Sequence, residues 1–248
     1  METILRSYSG EVFFEFLTHK EEVDAIIILP GFPSSNNYDK LMQFLYEKGF
    51  NVFFPRYPGS YQSKGKFLDE NPLDHLSGFV DHISGGSTEN LWDLGTKNFR
   101  NKRYFLLSGS FGGPFACALA KKNSGKFSKI ILTSPVLDFS NHNVEFEEQD
   151  LFHLTGFIKR SFINLYRIEF DDLVKQALMF DELNKKFYWS ELDVPVTILH
   201  DPKDKTVSIN HSKRFVEEKE NRTLVKHGFG HNLSVELIDQ YWDQLGLS

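Results

Sequence analysis

Cysteine is almost missing from this chain: Cys117 is the only one in 248 residues. No internal disulfide framework can hold the fold, so stability has to come from a buried core, in which Cys117 is expected to be one small member. No basic cluster stands against the formal charge of -6, which argues against nucleic acid as a partner. The opening Met1 to Gly10 contains Glu2 and Arg6 and no long apolar core. Neither a secretory signal nor a membrane span is therefore expected there, which favours a cytoplasmic protein. Internal repeats and low-complexity stretches are lacking too. The glycines Gly109, Gly112 and Gly113 do not form Gly-x-Gly-x-x-Gly and no Lys-Ser or Lys-Thr follows them, so neither nucleotide loop is expected.

What is there is an ordinary globular balance, 40% hydrophobic and 25% charged, in a length that suits one large α/β domain spanning 1–248. Glu11 to Leu17 and Val23 to Leu29 read as strands joined in a hairpin, and Tyr38 to Lys48 as a helix closed by Gly49. Phe50 to Phe54 is the next strand, and Pro55 to Asn71 reads as a surface connection. Pro72 to Asn98 is expected to be mostly helical, with a break near Gly85-Gly86-Ser87. Then come the strand Arg103 to Leu107, the helix Pro114 to Lys122 and the strand Lys129 to Thr133. Residues at about 141–190 read as a helical insertion, too long for an ordinary connection. The strands Val194 to Leu199 and Thr223 to Lys226 follow, with helices near Ser208 to Lys219 and Ser234 to Leu245. Alternating strand and helix implies a mainly parallel sheet with helices on both faces.

Ser110 stands at the centre of Ser108-Gly109-Ser110-Phe111-Gly112-Gly113, between a strand-like and a helix-like run. A tight turn of this kind raises a serine hydroxyl above the end of a sheet, at the N-terminus of the next helix. Its partners are sought on loops beyond the carboxyl ends of other strands. Two loops offer them: His200-Asp201-Pro202-Lys203-Asp204, and His227-Gly228-Phe229-Gly230-His231. A histidine can take the serine proton, and a carboxylate can fix the imidazole tautomer. Asp201 competes with Asp204, Asp138 is a further candidate acid, and His227 competes with His231. His200, Asp201 and Asp204 lack a second histidine at ligand spacing, so no metal is expected.

These motifs together resemble the α/β-hydrolase superfamily over nearly the whole chain. Ser110 in Ser-x-Ser-x-Gly-Gly resembles its nucleophile elbow, departing only in Ser108 where glycine is usual. Asp204 followed by Val207 resembles its acid loop, and Gly230-His231 its base loop. The resemblance implies a catalytic Ser110, Asp204 and His231, no cofactor, and an oxyanion hole built from the backbone amides of Phe111 and Phe32. Pro33 has no N–H to offer, and Gly31 lets the substrate approach the backbone. The insertion would then be a cap, with aromatics such as Phe152 and Phe157 either lining an acyl pocket or packing the cap down. The expected activity is a carboxylesterase acting on a small-molecule ester or acyl substrate. A serine peptidase or acylaminoacyl hydrolase, an acyl thioesterase, cofactor-free lyases and haloperoxidases, and a non-catalytic binding protein on the same fold are the alternatives. Oligomeric state and natural substrate are not legible in the sequence.

Overall fold

A computed structural model describes residues 2–35, 37–68, 72–139, 151–162 and 164–247, with the backbone alone for 151–154. The strands are β1 (Leu5–Ser9), β2 (Val12–Leu17), β3 (Glu22–Leu29), β4 (Asn51–Pro55), β5 (Ser87–Glu89), β6 (Thr96–Asn98), β7 (Arg100–Gly109), β8 (Phe127–Thr133), β9 (Val196–His200) and β10 (Arg222–Lys226). The helices are α1 (Asp39–Glu47), α2 (Pro72–Ser84), α3 (Gly112–Lys122), α4 (Leu151–Phe162), α5 (Leu173–Ser190), α6 (Ile209–Glu217), α7 (Val235–Gln240) and α8 (Trp242–Leu245). Eight strands form one sheet in the order β1-β2-β4-β3-β7-β8-β9-β10, parallel from β4 onward and antiparallel at the β1 and β2 edge.

The central strands are apolar on both faces because both faces are covered. Along β3, Ala25, Ile27 and Leu29 enter one core while Ile26 and Ile28 enter the other. This is the two-residue period of a strand buried between helical layers. The first core is closed by α2, α3, α5 and α6, the second by α1, α7 and α8. In α1, Leu41, Met42 and Leu45 share the buried face, as the helical spacing predicts.

Several sequence expectations are corrected. The hairpin is formed by β1 and β2, and β4 lies between β2 and β3, pairing with each. Alternation reveals that a strand is buried, not which strand lies beside it. The stretch read as helix after Gly85 is instead a small hairpin of β5 and β6. The last helix is interrupted at Tyr241. Pro55 to Ser60 is not a surface connection; every residue in it is buried. It is covered by the chain after α4: Tyr61 N–H donates to Leu165 O at 2.8 Å, Arg167 N–H to Gly59 O at 2.8 Å and Phe67 N–H to Arg167 O at 2.9 Å. The insertion itself divides in two. Its second helix, α5, packs on α3, with the Phe180 and Phe115 rings stacked at 4.1 Å, and so completes a layer of the sheet. Residues 140–150 lie outside the described residues.

Candidate active site

Strand β7 runs directly into the turn that carries Ser110, and α3 begins two residues later. Ser110 has φ +52°, a left-handed conformation uncommon for a residue with a side chain. Backbone bonds hold it there: its N–H donates to Thr133 O at 2.9 Å, and its carbonyl accepts from Gly113 N–H at 3.1 Å and Val136 N–H at 3.0 Å. The turn also demands close approach to its neighbours. A Cβ at Gly112 would stand 2.6 Å from Pro30 O and 2.9 Å from Leu29 O, and one at Gly109 would stand 2.4 Å from Thr133 Oγ1. Ser108, the departure from the usual glycine, donates its hydroxyl to Leu29 O at 2.9 Å and ties β7 to the end of β3.

Asp204 and His231 meet across the ends of β9 and β10. Asp204 Oδ2 is 2.8 Å from His231 Nδ1, while Oδ1 accepts from the amides of Thr206 at 2.8 Å and Val207 at 3.1 Å. Burial pushes the Asp204 carboxyl up, but His231 and the loop amides outweigh it and bring the group down to about 2. Asp204 is thus an anion at neutral pH, accepting the Nδ1–H of His231.

The rival residues have other partners. Asp201 takes the amides of Lys203 and Gly230 at 2.8 and 2.7 Å, so it ties the acid loop to the base loop. Asp138 pairs with Lys185 of α5 at 2.6 Å. His227 is buried, with Nδ1 accepting from Phe229 N–H at 3.1 Å. His200 is fully buried beneath Asp204: Nε2 lies 3.0 Å from Val207 O and 3.7 Å from Asp204 Oδ2, and Nδ1 lies 2.7 Å from Ser212 Oγ. Burial pushes the His200 imidazole down to about 4, so it is neutral at pH 7. Among the described residues no cluster of His, Cys, Asp and Glu is arranged to hold a metal ion.

A cavity of about 260 Å³ gathers Ser110, His231, Gly31 and Phe32. Ser110 and His231 both line this cavity, with no hydrogen bond between Oγ and the imidazole among the described residues. Gly31 faces the nucleophile: a Cβ there would lie 3.2 Å from Ser110 Cβ and 3.8 Å from its Oγ. Phe111 precedes the first turn of α3, where amides lack intrahelical acceptors. The rings of Phe32 and Phe111 are buried and lie 5.1 Å apart, and Phe32 lines the cavity. Phe157 stands half exposed on α4 with its ring 6.1 Å from Phe162, apart from the residues described around the cavity. The Phe152 side chain lies outside the described residues. Sequence reasoning missed Ser34, Tyr38, Thr133 and Asn232, which also line the cavity. Thr133 ends β8 and the others lie on the chain that follows β3 and β10, so position near the carboxyl ends of strands was the available signal.

No helix among the described residues is long and apolar enough to cross a membrane. No curated protein matches the sequence. Solved structures do match. Monoacylglycerol lipase from Paleococcus ferrophilus is 19% identical with a TM-score of 0.60, covering 94% of this chain and 100% of its own. Est1E from Butyrivibrio proteoclasticus, solved with ferulic acid bound, is 16% identical with a TM-score of 0.65, covering 98% and 100%. MGS-MChE2, an α/β hydrolase enzyme from a sediment metagenome of the Mar Chica lagoon, Morocco, is 17% identical with a TM-score of 0.67, covering 97% and 95%. At these identities the likeness establishes the fold. Residues 20–186 match the family described as serine aminopeptidase, S33. That match spans four of the eight strands of the sheet, β3, β4, β7 and β8, with the Ser110 turn, and the chain belongs to this family of α/β-hydrolases.

Proposed function

We propose that this chain is a serine hydrolase that cleaves small or medium acyl esters through an acyl-enzyme on Ser110. The observation that carries the reading is the 2.8 Å bond from His231 Nδ1 to Asp204, beside a cavity that Ser110 also borders from its left-handed turn. With Nδ1–H given to Asp204, Nε2 is the nitrogen left to act on the serine. It takes the hydroxyl proton as Oγ attacks the carbonyl carbon, then returns that proton to the departing alcohol. Water attacks the acyl carbon by the same route, giving up a proton to His231. Collapse then releases the carboxylic acid and restores Ser110. Oxyanion charge is received by the amides of Phe111 and Phe32, with Gly31 leaving room for the substrate.

Ester cleavage is preferred over aminopeptidase activity because the described lining of the cavity contains no Asp or Glu to receive a substrate ammonium group. The small volume and the hydroxyls of Ser34 and Tyr38 suit short acyl groups. The ester-related names of two structural relatives point the same way. Fluorophosphonate labelling of the wild type and Ser110→Ala tests the nucleophile, and equal labelling of both sinks it. Nitrophenyl esters of increasing chain length, set against aminoacyl nitroanilides and acyl thioesters, test the substrate class. Faster turnover of the anilides than of every ester would overturn the ester assignment.

A further inference from the structure

The loop Pro30 to Ser35, which carries Phe32, is gripped by phenols from elsewhere in the chain. Tyr57 donates its hydroxyl to Pro30 O at 2.9 Å. At the other end, Ser34 N–H donates to Tyr166 Oη at 3.1 Å, and the Tyr61 hydroxyl donates to Ser34 O. The Tyr61 and Tyr166 rings also pack edge to face at 5.7 Å. Tyr166 and Tyr61 therefore hold the amide and the carbonyl of one residue, Ser34. The Tyr166 ring meets Phe32 edge-on at 4.7 Å.

The two phenols arrive on different segments, Tyr61 after β4 and Tyr166 on the chain between α4 and α5. Those segments are fixed to each other by the backbone bonds around Gly59 and Arg167. The Arg167 guanidinium adds bonds of 3.0 Å to Tyr61 O and to Gly65 O. Gly59 is required here, since its Cβ would overlap Phe67 N at 1.9 Å. At the centre of this assembly Tyr166 is buried, 3% exposed, while the Arg167 side chain that clamps it lies at the surface.

We propose that Tyr166 and Tyr61 are positioning residues that fix the Phe32 amide opposite Ser110, which makes the inserted segment part of the oxyanion site. This inference rests on the serine hydrolase reading. It gives the insertion a role in the chemical step as well as in covering the domain. A phenol that acts only through loop position changes the transition state's donor geometry and leaves ground-state binding nearly untouched.

The test compares Tyr166→Phe and Tyr61→Phe with the wild type, because phenylalanine keeps the ring packing and removes only the hydroxyl. Each should lower kcat about tenfold or more while KM moves by less than about twofold, a smaller loss than deleting an oxyanion donor outright. Tyr166→Leu, which removes the ring as well, should lower the melting temperature further than Tyr166→Phe. Amide hydrogen exchange over residues 31–35 supplies a readout independent of turnover and should quicken in both phenylalanine variants. Unchanged exchange, or a loss confined to KM, overturns the proposal. Failure of fluorophosphonate to label wild-type Ser110 overturns the parent reading instead, while the exchange result still decides whether the phenols hold the loop.

Discussion

Acid should weaken this protein through His200 before it protonates the Asp204 carboxylate. The imidazole is fully buried, with Nε2 3.0 Å from Val207 O and Nδ1 2.7 Å from the Ser212 hydroxyl, and burial favours its neutral form. In the unfolded chain it titrates near ~6.5, whereas burial holds it at about 4 in the folded protein. As pH falls through the unfolded value, the unfolded state gains a proton that the folded state refuses. Stability is therefore lost between these two pH values and the loss levels off below the folded one. The gap corresponds to a loss of about 3 kcal/mol, a large share of the roughly 5–15 kcal/mol that a domain has in total. His200→Gln keeps a donor and an acceptor but cannot titrate. Urea unfolding at pH 7, 6, 5 and 4 should show the wild type losing about 3 kcal/mol more than the variant over that range. Two curves that stay parallel from pH 7 to pH 4 would refute the reasoning.

Asp204 has the opposite sign. Its folded carboxyl sits at about 2, below its unfolded value, so its contribution is present at neutral pH and fades only as pH drops from about 4 through 2. Asp204→Asn should flatten the stability profile in that window, read by thermal melts. The same variant should lower kcat by roughly three to four orders of magnitude with little change in KM, read by steady-state ester hydrolysis. Glu15→Gln should destabilise the fold by about 3–5 kcal/mol in urea melts. It strands the guanidinium of Arg56, which is buried over the Phe54 ring at 3.8 Å and ion-paired to Glu15 at 2.5 Å. Gly112→Ala should cost about 1–3 kcal/mol by driving a methyl group against the carbonyls of Pro30 and Leu29. It should also slow fluorophosphonate labelling of Ser110, since the turn must open to accept it.

By itself the sequence determined the layered α/β class, the burial of the central strands and the strand-to-helix turn at Ser110. Each is a local property: a period of two residues in β3, the heptad-like face of α1, and small residues packed around one serine. The pairing of Gly230-His231 with Asp204 was readable as well, because both motifs follow strand ends and all loops at that edge of a parallel sheet converge. Local pattern says nothing about which strand sits beside which, so the insertion of β4 between β2 and β3 was decided only by folding. Tertiary structure alone also turned Asp138 toward Lys185, placed α5 against α3, and buried Pro55 to Ser60 beneath the chain at Tyr166. The meeting of Tyr61, Tyr166 and Ser34 had no sequence signal, because it joins residues up to 132 positions apart through a backbone amide and carbonyl that every residue type possesses.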